Sequence, residues 1–296
     1  MTVGSLITAA RYNAIQSKVA TVLGVGQEQF GYGQIVSSTQ LSVKSVVTDL
    51  EMQKLKIDIE KAHVHQFGAL PQIPTINNTL LITNDQYISY DKAAESVFAN
   101  KNLIHPTQAS LENKIQSTRS LPWGVITRDD TLVHRVRVQF NSVNHARYFF
   151  NAGGEIRFSA NIANGTGFKT ANWANTLNSI GTVRFDHRRT YAGTLPVRNI
   201  GFFQLTTEFQ TVFAKGNTDL YQNPTDPYAK NYYMIEARLS ESLKDIVFRI
   251  TFYDGNSNQY DESVNGILTS SISQYRPTGN YVEVATPGYV NEVKLV

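Results

Sequence analysis

An α+β fold is predicted: a small helical N-terminal region followed by a mainly antiparallel, jelly-roll-like β-sandwich. Three observations predict it. In the N-terminal third, apolar residues recur at steps of three and four. From Thr131 the period changes to two. About eight extended segments then follow between turn residues, and a closed pair of sheets is the natural way to bury them. These changes place a helical region at 1–72, a helical or irregular connector at 73–130, and the sandwich at 131–296.

The helical part opens at Thr8, a plausible N-cap. Tyr12, Ile15, Val19 and Leu23 form one stripe behind it, and Gly24 stands where a helix-ending glycine belongs. The segment VGQEQFGYGQIV lacks both GxxxxGK[ST] and GxGxxG. It reads as a glycine turn that presents Phe30 and Tyr32 for packing. Gln40–Val46 reads as extended. Thr48 with Glu51 is a capping box, and Met52, Leu55, Ile59 and Ala62 give the buried face of a second helix. Lys54, Asp58 and Lys61 fall off that stripe and read as its solvated side. Gly68 and Pro71 stop the helix.

His63 and His65 stand near its end. At i and i+2 they do not share a helix face. On an extended segment they would, and a symmetric oligomer could gather them around a metal ion. Capping and packing at the helix end is the preferred reading. Ala69–Asn78 is a proline-containing connector, Asn84–Asn100 a third helix, and Thr107–Thr118 a short fourth.

The stretch Val133–Ile162 is the clearest β-signal. Val136, Val138 and Phe140 alternate with Arg135, Arg137 and Gln139. Arg147–Phe150 and Glu155–Ile162 flank Gly153–Gly154, which predicts a hairpin with a two-glycine turn. Tyr148, Phe149 and Phe150 are consecutive, so two are expected in the core and one at an interface. Phe168–Leu177 shows no alternation and reads as helical. Val183–Phe185, Ile200–Thr207, Glu208–Ala214, Tyr232–Ser240, Lys244–Tyr253, Gly266–Tyr275, Tyr281–Ala285 and Val290–Val296 read as extended. Asn217–Lys230 reads as a polar loop.

Composition narrows the function. The chain has 296 residues, no cysteine, 27 basic and 24 acidic residues, and a net charge of +3. Thiolate metal sites, disulfides and cysteine nucleophiles are excluded. The net charge is too small to suggest a nucleic-acid or membrane partner by itself; nucleic acid and membrane insertion are not expected. Charged residues make up only 17% of the chain, below the roughly 25% of an average protein. That suits a protein that buries surface against neighbours. Met1–Leu23 holds no apolar signal-peptide core, so a protein working outside a cell would leave by a route other than ordinary secretion, and no run is long enough to predict a membrane span.

Motifs for chemistry are missing. There is no GxSxG and no HExxH. Asp226, Asp254, Asp261 and Glu262 are carboxylates that glycoside cleavage could use, but spacing alone does not pair them. Asp254–Asn258 begins like a calcium loop and fails at Gln259 and Asn265. Arg184, Arg188 and Arg189 surround His187 close to Phe185 and Tyr191. Ion pairing with a neighbouring subunit fits this cluster better than nucleic acid. No catalytic, cofactor-binding or metal residue is assigned, and no cofactor is expected.

Three phrases together carry a family resemblance: KAHVHQFG, NHARYFFNAGGEIRF and VNGILTSSISQYRPTGNYVEVATP. Over most of its length the chain resembles virion structural proteins of contractile-tailed bacteriophages, and ARYFFNAGGEIRFSA is the most specific part. The resemblance implies a non-enzymatic component of the tail, neck, baseplate or fibre, assembled in the host cytoplasm and resident in the virion. Its expected partners are further copies and other virion proteins. A host-surface glycan is a rival partner if Trp173, Tyr228 and Tyr281 are exposed around a concave face. A polysaccharide-degrading tail enzyme is the second rival.

Overall fold

The structure is a computed structural model that describes residues 8–76, 82–124, 129–216, 219–220, 227–255 and 263–295. Thr8 accepts the Arg11 N–H at 3.3 Å and starts helix α1 (Ala9–Leu23). Thr48 and Glu51 close their capping box at the start of α2 (Asp49–Phe67), the Thr48 N–H lying 2.9 Å from the carboxylate. Gly68 ends α2 with φ at 73°, a left-handed position that favours glycine. Thr83 and Gln86 make the reciprocal cap of α3 (Asn84–Ala99). The three helices pack on one another through Tyr12, Ile15, Leu55, Ile59, Tyr90 and Ala94, all essentially buried.

The chain between α1 and α2 carries no helix or strand and forms a strap. Asn13 holds both the N–H and the C=O of Leu41 at 2.8 Å. Gln16 donates to the Ser38 carbonyl at 3.1 Å. Asp58 accepts the Ser37 N–H at 2.9 Å and the Ser38 N–H at 2.7 Å. Asp58 is therefore fully buried, not on a solvated side. The helical period finds the stripe facing the other helices, but it cannot see a strap lying over a second face. Gln40–Val46 is likewise not a strand, and only Val46 makes a bridge, to Thr8.

His65 sits inside this helical unit. Its Nε2 donates to the Ala152 carbonyl at 3.0 Å, and burial pushes its pKa down to about 4. The unfolded imidazole titrates near 6.5. Between these values the unfolded chain binds the extra proton, so stability rises with pH across that window. Unfolding free energy is expected to be highest above about pH 6.5 and to fall by about 3 kcal/mol on acidification to pH 4. Urea titrations at several pH values check this. The His65→Gln variant should show a flatter profile, and an unchanged slope would contradict the assignment.

The β-strands form two five-stranded antiparallel sheets. The first has the order β1-β9-β3-β4-β5, from β1 (Ala109–Arg119), β9 (Ile267–Pro277), β3 (Glu155–Ala163), β4 (Val183–Phe185) and β5 (Thr190–Ala192). The second has the order β10-β2-β8-β7-β6, from β10 (Gly288–Val293), β2 (Asp130–Gln139), β8 (Asp245–Asp254), β7 (Tyr232–Leu239) and β6 (Gln210–Gly216). Phe158 and Phe185 of the first sheet meet Phe248 of the second at ring distances of 4.8 and 5.2 Å. Each of these rings is buried, and each burial contributes roughly 2–3 kcal/mol. Successive strands β1, β2 and β3 alternate between the sheets, as do β8, β9 and β10, which is jelly-roll-like. The α+β sandwich expected from the period change is present.

Several local expectations change. Arg147–Phe150 is not a strand of a hairpin but part of helix α4 (Val143–Asn151). Ser142 caps it, accepting the His145 N–H at 3.0 Å on its side chain. Ala146, Phe149 and Phe150 are fully buried, at the three-and-four spacing of a helix face. Gly153, with φ at 83°, and Gly154, whose N–H reaches the Phe149 carbonyl at 2.9 Å, terminate a helix rather than join two strands. Tyr148 is half-buried. Thr107–Thr118 is not helical, because it lies almost wholly in β1 and sheet pairing overrides its weak helical spacing. Ile200–Thr207 contains a 3-10 turn at Phe202–Gln204. Tyr281–Ala285 contributes a single bridge, Thr278 to Glu283. Helix α5 (Phe168–Ile180) stands where alternation is missing, and most of the remaining strands stand where alternation places them.

The chain divides into two compact units that differ from a cut at 72 and 130. One holds Met1–Ser110, Arg147–Gly154 and Arg276–Ala285, and the other holds Leu111–Ala146, Glu155–Tyr275 and Thr286–Val296.

Candidate functional site

The outward face of the first sheet gathers the arginine cluster. Arg157, Arg184 and Tyr191 occupy one rung across β3, β4 and β5. Tyr191 lies under the Arg189 guanidinium at 4.7 Å and near that of Arg184 at 5.9 Å. Tyr275 lies under Arg157 at 4.3 Å. Glu155 binds Arg157 at 2.7 Å and accepts the Tyr191 hydroxyl at 3.1 Å. Asp186 accepts the Arg188 and Arg189 N–H groups at 2.7 and 2.8 Å and pairs with the Arg189 side chain at 3.1 Å. Phe185 points the other way, into the core. Both tyrosine rings thus carry a guanidinium group on one side, and the carboxylates of Glu155 and Asp186 offset half of the charge of the four arginines. The face is a braced set of cation–π pairs.

Between the sheets lies a hydrogen-bonded chain that sequence order hides. His134 Nδ1 is 2.9 Å from Ser270 Oγ, and its Nε2 is 2.8 Å from Asn291 Oδ1. The asparagine oxygen accepts from Nε2–H, so Nδ1 accepts the serine hydroxyl. These residue types in this order are those of a nucleophile, base and orienting group. However, His134 is 0% and Ser270 1% exposed. A substrate carbonyl cannot approach a serine closed between two sheets. Burial also holds the His134 pKa below its ordinary value, as expected for a neutral tie between layers. No local motif announces it, because the partners lie 136 and 157 positions apart.

Of the four candidate carboxylates, the described residues include only Asp254. Asp254 is 2.6 Å from Lys169 Nζ, each side chain 1% exposed, and Lys169 also donates to the Gly124 carbonyl at 2.5 Å. Asp226, Asp261 and Glu262 lie outside the described residues, as do Asn256–Gln259 of the calcium-like loop. Trp173 does not face a ligand: it is fully buried, its ring 5.1 Å from that of Trp123. Tyr281 is exposed and Tyr228 half-buried.

His63 and His65 do not converge. His63 Nδ1 is 2.7 Å from the Ala69 carbonyl, whereas His65 is buried. No group of three or more histidine, aspartate or glutamate side chains able to hold a metal occurs among the described residues. An open groove of about 370 Å³ in the helical unit is lined by His63, Leu70, Pro71, Ile73, Ser89 and Lys92. Only His63 and Lys92 could carry charge there, and they present no convergent set of donors. No described helix is long and apolar enough to cross a membrane. No family model, curated protein or solved structure matches the chain.

Proposed function

We propose that the protein is a non-enzymatic structural component of a tailed-phage particle, in its tail, neck, baseplate or fibre, which acts by self-assembly and by docking to other virion proteins. The observation that carries this reading is the strap between α1 and α2. Its backbone is fixed by Asn13, Gln16 and Asp58, yet Ile35, Val43 and Val46 stand 87, 89 and 77% exposed on it. Aliphatic side chains held in water on an ordered backbone gain apolar contact when another chain packs on them. The low charge density favours the same reading, and the phrase ARYFFNAGGEIRFSA favours the phage setting.

On this reading the buried polar groups are structural. Lys169–Asp254 and His134–Ser270–Asn291 fix the interior of the sandwich, and the arginine–tyrosine rungs brace its outer face. Residence in the virion and homo-oligomer formation belong to the proposal. Sedimentation of the purified chain over a range of concentrations is its direct biochemical test. A defined oligomer is expected, and a monomer at every concentration would contradict it.

A further inference from the structure

The sandwich has four sheet edges: β1 and β5 in the first sheet, β10 and β6 in the second. Unpaired edges template pairing with other chains, and proteins blunt them with shortness or irregularity. Three are blunted here. Strand β5 has 3 residues. The register breaks between Asn291 and Val293 in β10, and between Thr211 and Phe213 in β6. Strand β1 is different, at 11 residues. Its C-terminal part is engaged, since Asn291 Nδ2 donates to the Gln116 carbonyl at 3.3 Å and the Leu295 N–H to Ser117 Oγ at 2.8 Å. The part that remains is Leu111–Ile115.

We infer that Leu111–Ile115 of β1 pairs antiparallel with the same segment of a second copy, about a twofold axis at Asn113. The segment is self-complementary about that residue. Leu111, 59% exposed, would face Ile115 of the second copy, and Glu112 would face Lys114, each contact occurring twice by symmetry. Directly opposed strand residues lie roughly 5 Å apart, within reach of apolar contact and ion pairing. Glu112 and Lys114 already pair within the chain, so the axis would gather two pairs into an alternating ring of four charges. Centring the axis on Glu112 or Lys114 instead would set like charges against each other. The charge order thus selects the register, and the pairing joins two first sheets edge to edge.

The inference rests on the assembly reading only in requiring that copies of the chain meet. The chain contains no cysteine, so a single introduced thiol reports on geometry. Under mild oxidation, Asn113→Cys is expected to convert to a covalent dimer, since its two thiols would face each other at the axis. Leu111→Cys alone should not, its two copies being offset along the strands. Mixed with Ile115→Cys, it should form the cross-linked heterodimer. Oligomers in sedimentation without an Asn113→Cys cross-link would overturn the edge pairing and leave the assembly reading standing. Monomers throughout would overturn both. Cross-linking of Leu111→Cys as fast as Asn113→Cys would mean collision rather than pairing, and would also overturn it. Single charge reversals supply a second readout. Glu112→Lys and Lys114→Glu should each weaken the dimer, and the double exchange should restore it.

Discussion

Lys169→Met is expected to cost about 3–5 kcal/mol of stability, the range for removing one partner of a buried ion pair. The ammonium lies 2.6 Å from Asp254 and 2.5 Å from the Gly124 carbonyl, and neither charged side chain reaches water. Without the lysine, the carboxylate stays in the interior and loses its nearest counter-charge, so its desolvation is less well compensated. For a protein of this size the loss corresponds to a fall in melting temperature of roughly 10 °C. The pair is tightly fitted as well. Gly124 has φ at 68°, and a Cβ there would come within 1.9 Å of the Asp254 carboxylate. Replacing both partners, as Lys169→Met with Asp254→Leu, should recover much of the loss, because no buried charge then remains. Thermal denaturation of the single and double variants checks this. A single variant as stable as the parent would show that the charges are not isolated from water.

Asp58→Ala is expected to release the strap and to cost about 3 kcal/mol, since hydrogen bonds to a charged group contribute roughly 1.5–3 kcal/mol each. The carboxylate is fully buried and holds two successive backbone N–H groups, those of Ser37 and Ser38. Its loss leaves both donors without an acceptor. Two measurements separate this from a general loss of packing. Denaturant unfolding gives the stability change, and limited proteolysis gives its location. Cleavage within 34–47 should accelerate far more than cleavage elsewhere. Equal protection of the strap in both proteins would contradict its anchoring by Asp58. Because the strap carries Ile35, Val43 and Val46, the variant should also associate less.

Much of the helical part is legible in the sequence because its signals are local. Thr8, Thr48 and Gly68 mark helix ends by chemistry confined to a few residues, and the structure places them there. The strands from Tyr232 to Tyr275 are legible for a similar reason, since alternation follows from one face being buried. Legibility fails where a residue's role depends on a distant partner. Asp58 looks solvated on a helical wheel, and only the strap shows otherwise. Arg147–Phe150 reads as a strand beside Gly153–Gly154. Yet Ser142 was an available cap, and Ala146, Phe149 and Phe150 already have helical spacing. The short polar alternation of β1 was masked by Leu111 and Ile115, which are four apart and mimic a helix turn.

The interior polar groups were harder still. Nothing near His134 points to Ser270 or Asn291, because they meet only when β2 of one sheet faces β9 of the other and pairs with β10. Trp173 shows the converse. Sugar stacking needs it exposed, but α5 turns it inward against Trp123. Among the described residues, His134, Ser270 and Trp173 are each closed inside the sandwich unit, and their neighbours in sequence do not show it.

The most direct measurement is imaging of intact phage particles with an antibody raised against this chain. If the chain is the virion component proposed, label is expected at one fixed position in the tail, neck, baseplate or fibre of every particle, in a constant number of copies. Unlabelled particles, together with a soluble monomer left behind in the lysate, would contradict it.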